Sequence, residues 1–336
     1  MPAAILSDEP SSAESAAPAS AAVLELRNIT KLFGDFKAVD DVSFSLPHGS
    51  ICGFLGPNGA GKTTTIRIIL DIFKPTRGTL TVLGQPTAHA VRQRLGYLPE
   101  EKGLYKKMKV WSVIAYFATL KGMSRAAARQ RSYELLERYG LKDFADKPTD
   151  ALSKGMGQKV QMLASLAHDP EFVILDEPFS GLDPVNQQVM EDIIRDIARR
   201  NRTVLFSTHV MQHAERLCDR IVLLAKGRKI FDGSVSQAKR TMPRRVRIET
   251  EDSIEPLRGL REVAGAAPVI DANAQAPVNG AASWELELRE NADPQAILQA
   301  CFAQRIRLRS FDQADPTLHE VFMRLVGPEA AEARFR

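Results

Sequence analysis

The residues best suited to chemistry lie in one octapeptide, Gly56-Pro57-Asn58-Gly59-Ala60-Gly61-Lys62-Thr63. Its spacing is G-x-x-x-x-G-K-[ST], that of a loop that wraps phosphate. The glycines let the backbone aim its N–H groups inward at phosphate oxygens. Lys62 brings a compact cation to the β and γ phosphates, and the hydroxyl of Thr63 can ligate Mg²⁺. Taken by itself the pattern could be a glycine-rich turn. Its setting argues otherwise, because the strand-like run ICGFL precedes it and the helix-like run TTTIRIIL, with Thr64 in its first turn, follows.

A second element fits the first. FVILDEP reads as a buried strand with Asp176 and Glu177 at its carboxyl end, where parallel α/β sheets bind their ligands. Asp176 would hold Mg²⁺ directly or through water, and Glu177 would polarise an attacking water. Such acids could merely cap the next turn, but beside a phosphate loop they predict a site for ATP hydrolysis.

Further motifs narrow the class. SGLD (Ser180 to Asp183) and STH (Ser207 to His209) follow Glu177, and LSKGM (Leu152 to Met156) precedes it. In this order and spacing the set resembles the D-loop, H-loop and LSGGQ signature of ATP-binding cassette (ABC) ATPases, over about residues 23 to 238. LSKGM alone would be an ordinary capped helix start. Ser153 can cap the helix GMGQKVQMLASLAHD, and Gly155 leaves its amino end bare, so hydroxyl, N–H groups and dipole make an anion site. The resemblance implies that this site meets the γ phosphate of ATP held by a second copy, so two chains would enclose two ATP molecules, and it places Asp183 of the D-loop among the nucleotide-binding residues. It also implies that His209 contacts the γ phosphate and steadies water and Glu177. The other five histidines match no motif and receive no role.

The sequence departs from the family pattern at three places. Lys154 and Met156 replace the second Gly and the Gln of LSGGQ, while Ser153 and Gly155 are kept. The Q-loop glutamine position in YLPEEKGLY holds Glu100, whose carboxylate could still ligate Mg²⁺ or orient water. The aromatic expected to stack on adenine is Phe33 in KLFGD, with Phe36 the rival and a plain core role for the ring the other reading.

These residues need a scaffold. VLELRNI alternates like a strand, and WSVIAYFATLKG and SRAAARQRSYELLERYG carry helical spacing with Ser124 placed to cap the second helix. FVILDEP and RTVLFSTH, joined by PVNQQVMEDIIRDIARR, read as a βαβ unit with buried parallel strands. IVLLAKGRKIFDG reads as a hairpin turning at Lys226 and Gly227. RRVRIET, SWELELR and RIRLRSF read as strands and ADPQAILQACFAQ and PTLHEVFMRLV as helices, with residues 264 to 283 a loop. The expected fold is α/β: an ABC-type P-loop NTPase with a mixed sheet core, an antiparallel β subdomain and a helical subdomain, followed by a small α+β domain. The expected divisions are a disordered tail at 1–21, the ATP-binding domain at 22–239 with its helical part at about 100–150, the accessory domain at 240–328, and a tail at 329–336.

Composition supports a globular chain. Of 336 residues 44% are hydrophobic and 26% charged, which argues against wholesale disorder, collagen or a disulfide scaffold. Three scattered cysteines read as reduced and buried. No apolar run approaches the 18 or so residues of a membrane span, and the amino end lacks the basic and apolar regions of a signal peptide. The net charge of +4 is too mild to argue for nucleic acid. It divides unevenly, with 32 Lys and Arg against 26 acids up to residue 239, and 13 Arg, no Lys and 15 acids after it.

YLPEEKGLYKKMKV, LSKGMGQKVQ and PTLHEVFMRLVG resemble the exporter-type ABC ATPases of the sodium-extrusion, NatA-like group, which carry a small C-terminal domain. This resemblance implies a subunit that binds ATP and Mg²⁺, dimerises on ATP, and drives a separate membrane permease from the cytoplasmic face of the membrane. The segment from Glu100 to Tyr139, with Lys102, Lys106, Lys107 and Lys109, would dock the permease, unless those lysines are simply solvated. An importer ATPase, or an ABC protein acting on ribosomes or DNA, is the alternative. No nucleic acid is expected as a partner, and the sequence leaves the role of the C-terminal domain open.

Overall fold

The computed structural model of the chain describes residues 22–101, 103–269, 282–290 and 292–327. The expected tails at 1–21 and 329–336, Lys102 and most of the expected 264–283 loop lie outside the described residues.

The alternating run at the start forms β1 (Leu24–Phe33) and β2 (Phe36–Leu46), an antiparallel pair. Strand β3 (Ile51–Leu55), buried throughout, leads into the phosphate loop and α1 (Lys62–Ile69). Strand β4 (Arg77–Val82) pairs with β1, giving an antiparallel sheet of order β2-β1-β4. After β5 (Leu95–Leu98) come three helices, α2 (Val110–Leu120), α3 (Arg125–Arg138) and α4 (Lys154–Leu166). Ser124 caps α3 as expected, accepting the N–H of Ala127. The chain then alternates through β6 (Phe172–Leu175), α5 (Pro184–Arg199), β7 (Thr203–Thr208), α6 (Met211–Leu217) and β8 (Arg220–Ala225). The expected hairpin turns at Lys226 and Gly227, both at positive φ, into β9 (Arg228–Ser234), and α7 (Val235–Arg240) follows.

The central sheet has the order β5-β6-β7-β3-β8-β9 and is parallel except for the β8–β9 hairpin. Period-two alternation sends successive residues of each strand into different layers. Phe172, Ile174 and Leu205 pack with Phe54, Ile66 and Ile69, the last two from α1. Val173, Leu175, Val204 and Phe206 pack with Met190, Ile193, Ile194 and Ile197 of α5, whose spacing is that of one helical face. Both faces are therefore covered, which is what the uninterrupted apolar strands require. Helices α2, α3 and α4 share a separate core around Ile114, Leu136 and Leu163.

The remaining elements are β10 (Arg245–Thr250), α8 (Glu255–Arg258), β11 (Val263–Pro268), β12 (Ala282–Leu288), α9 (Pro294–Ala303), β13 (Leu308–Ala314) and α10 (Leu318–Val326). They form an antiparallel sheet of order β11-β12-β10-β13 with its own core around Val246, Leu286 and Ile297. Two expectations need correcting. The front of the expected loop is strand β11, where the small residues VAGAAP show no alternation and pairing with β12 makes the strand. Strand β13 begins at Leu308 rather than Arg305, which turns at φ 58°. Helix α10 packs Leu318, Val321 and Phe322 against Met211 and Ala214 of α6, and the Glu215 carboxylate accepts the N–H of Leu318 at 2.8 Å. No helix among the described residues is long and apolar enough to cross a membrane.

Candidate functional site

The phosphate loop joins β3 to α1 at the carboxyl end of the parallel strands. Gly61, just before α1, has φ 99°, and a Cβ there would lie 2.6 Å from the carbonyl oxygen of Ala38. Only glycine satisfies both the angle and the close approach. Asn58–Thr64, Phe36, Ala38, Glu100 and Glu177 line a cleft of about 330 Å³. The Lys62 ammonium, 6% exposed, donates to the carbonyls of Gly56 (2.7 Å) and Pro57 (3.2 Å) and lies 3.5 Å from Glu177 Oε1.

The two acids follow β6 directly. Asp176 is buried and donates its N–H to the Leu98 carbonyl, while its Oδ1 accepts from Ser207 Oγ at 2.6 Å and from Thr63 Oγ1 at 3.4 Å. Burial pushes its carboxyl above the ordinary value, opposed by those two hydroxyls. Glu177 has φ 48°, unusual for a residue with a side chain, and its N–H donates to Ser207 Oγ at 2.9 Å. Its Oε2 lies 3.0 Å from His209 Nδ1. An ionised carboxylate only accepts, so Nδ1 carries the proton in this contact. Glu177 Oε1 is buried with no hydrogen-bond partner among the described residues. An uncommitted acceptor beside Lys62 suits a water that needs its proton taken.

Thr63, Asp176 and Glu100 offer only oxygen, the donor set of a hard cation. Among the described residues no group of three or more His, Cys, Asp or Glu side chains is arranged to hold a metal.

The other expected site residues lie apart from this cleft. Ser153 caps α4, accepting the N–H of Met156 at 3.3 Å, and Gly155 is buried behind it. Asp183 caps α5, accepting the N–H of Asn186 at 2.9 Å and its side-chain amide at 2.6 Å. Those bonds hold the Asp183 carboxyl below its ordinary pKa. A Cβ on Gly155 would lie 2.6 Å from the Asn186 amide, so Asn186 links the signature to the D-loop within one chain. Lys154 reaches across Gly181 of the same D-loop.

The two candidate aromatic rings are placed differently relative to this cleft. Phe33 does not line the cleft; it packs edge-on against Phe73 at 5.5 Å with the Lys31 ammonium over its ring. The rival Phe36, 67% exposed, does line it. The two phenylalanines are register partners across the β1–β2 turn, so the twist of that hairpin decides which ring meets the loop.

Sequence reasoning gave no role to three side chains that hold the site. Ser207 bridges both acids. Gln158 in α4 donates to the Pro178 carbonyl at 2.7 Å, tying the signature helix to the segment after Glu177. His213, in α6, stacks on Phe179 at 4.0 Å and faces the buried Glu191.

Fold and site together define a nucleotide-binding P-loop protein of the ATP-binding cassette class. Residues 39–180 match the ABC transporter family, and residues 233–326 match the C-terminal domain of DrrA1-3-like ATP-binding proteins. The chain is 36% identical to the uncharacterized ABC transporter ATP-binding protein YhaQ of Bacillus subtilis, over 91% of this chain and 99% of that one. It is 37% identical to the ABC transporter ATP-binding protein NatA of the same organism, over 59% and 82%. To the Nod factor export ATP-binding protein I of Burkholderia orbicola it is 39% identical, over 64% and 72%. The solved ATP binding subunit of an ABC transporter superposes with a TM-score of 0.60 at 30% identity, covering 65% of this chain and 92% of that one. The chain therefore belongs to the ABC transporter ATP-binding proteins, NatA-like in type, and carries a DrrA-like C-terminal domain.

Proposed function

We propose that this chain is the ATP-hydrolysing subunit of an exporter, acting as a homodimer at the cytoplasmic face of the membrane on a separate permease. The observation that carries the chemistry is the Glu177 carboxylate, held between Lys62 (3.5 Å) and His209 (3.0 Å) at the mouth of the phosphate loop. Lys62 and the loop N–H groups bind the β and γ phosphates of ATP. Glu177 accepts a proton from water attacking the γ phosphate in line. His209 keeps that carboxylate oriented while its exposed edge faces the nucleotide. Thr63, Asp176 and Glu100 would hold Mg²⁺, which would supply charge that neutralises the triphosphate. Phe36 offers its ring to the base, with Phe33 beside it across the turn.

Dimerisation is supported by what one chain lacks at its own cleft. Ser153 and Gly155 do not line it, so a second copy is needed to bring a signature to the γ phosphate. ATP would close the pair, and hydrolysis would open it. Export is supported by the name of the Nod factor relative and by the likeness to NatA. The docking surface for the permease is the α2–α3 region, where Tyr105, Tyr116 and Leu120 are exposed near Lys106 and Lys107. Residues 22–239 form the working ATPase and 240–328 its accessory domain. The test is whether the gene adjacent to this chain's encodes a membrane protein of about six spanning helices and whether that protein, coexpressed, copurifies with this chain. Copurification and a change of ATPase rate on assembly are expected; copurification with ribosomes or DNA instead would overturn the transport reading.

A further inference from the structure

Glu177 follows the end of β6 at a backbone angle that side chains disfavour, so something must hold it there. Its N–H has passed beyond the ladder that β6 makes with β7, whose last matched pair is Leu175 with Phe206. That register puts Ser207 beside Asp176. The Ser207 hydroxyl accepts the Glu177 N–H at 2.9 Å and donates its single proton to Asp176 Oδ1 at 2.6 Å. Ser207 is fully buried, so water does not compete for either bond. One hydroxyl, with one proton and two lone pairs, can make both contacts at once.

We infer that Ser207 is a positioning residue that aligns both acids of the site. Through its proton it orients the Asp176 carboxylate toward Thr63, and through its lone pair it holds the turn that presents Glu177 to Lys62 and His209. It touches none of the reacting atoms. The inference rests on reading Glu177 as the base and Asp176 as the Mg²⁺ ligand. Removing the hydroxyl leaves a buried N–H unsatisfied and strips Asp176 of its shorter bond, so both carboxylates reorient.

The full chain tests it with Ser207→Ala and Ser207→Thr. Three readouts are taken: phosphate release against MgATP, affinity for a fluorescent ATP analogue without Mg²⁺, and the Mg²⁺ concentration that half-saturates its binding. Ser207→Ala is expected to lower kcat by about tenfold or more and to raise the half-saturating Mg²⁺. Mg²⁺-free affinity stays within about twofold, and the threonine variant recovers most of kcat. Should the alanine variant not fold, Ser207→Cys, of similar size and a weak donor, is read the same way. An alanine variant with unchanged kcat and Mg²⁺ dependence would overturn the inference. So would a threonine variant whose kcat falls as far as that of alanine. Glu177→Gln run in parallel separates the two layers. If it still turns over, the reading of Glu177 fails; if it is inactive while Ser207→Ala is normal, only the role of Ser207 fails.

Discussion

His209 Nδ1 lies 3.0 Å from Glu177 Oε2, joining an imidazole that is 42% exposed to a carboxylate that is 8% exposed. The histidine thus keeps one edge open to solvent while it contacts a buried acid. His209→Ala is expected to lower kcat by about 100-fold or more, with ATP affinity unchanged. Phosphate release and nucleotide titration on the same preparation check this, and a normal kcat would break the link between the two residues.

Lys62 donates to two carbonyls of its own loop and lies against Glu177, so it shapes the loop as well as meeting phosphate. Lys62→Ala removes the cation from both tasks. Affinity for a fluorescent ATP analogue should fall by about tenfold or more, roughly the 1.4 kcal/mol or more expected of a buried charge-assisted contact. Retained affinity would mean that the backbone amides alone bind the triphosphate.

Gly155 packs closely, because an added Cβ would lie 2.6 Å from the Asn186 amide. Gly155→Ala should destabilise the chain by about 1–2 kcal/mol in urea unfolding. Asn186→Ala in the same chain removes the obstacle and should recover part of that loss. Additive losses in the double variant would show that the two residues do not press on each other.

The acid limb of stability should involve His168. Burial pushes its pKa from 6.5 down to about 4, with Nε2 3.0 Å from the Leu95 carbonyl. His213 is lowered for the same first reason. In both cases the unfolded chain takes up protons below about pH 6.5 that the folded chain refuses. Stability is complete above that pH and falls as pH drops toward 4, by on the order of 2 kcal/mol for His168 at pH 5. Urea midpoints at pH 7.5 and pH 5 measure the loss, and His168→Gln should flatten it. An unchanged slope in that variant would assign the loss to other groups.

What the sequence revealed and what it hid have a common physical cause. The phosphate loop, the acids after β6, the caps Ser124 and Ser153 and the turn at Lys226-Gly227 depend on neighbours within a few positions, so spacing exposes them. Ser207 acts on Asp176 from 31 residues away, and Asn186 reaches Gly155 from another helix; strand register and packing bring these together. Phe33 and Phe36 differ only in which side of a twisted hairpin they leave, which no local pattern encodes. Strand β11 was hidden because VAGAAP has no side chains large enough to show alternation.

The central claim is that Glu177 is the base of an ATPase that closes as a pair. It is tested most directly by Glu177→Gln, followed by phosphate release and by mass in solution with and without MgATP. The variant should bind MgATP, release almost no phosphate and double in mass, because the closed pair forms and cannot open. Near-normal phosphate release would contradict the assignment of Glu177, and a mass that stays at one chain with MgATP bound would contradict closure as a pair.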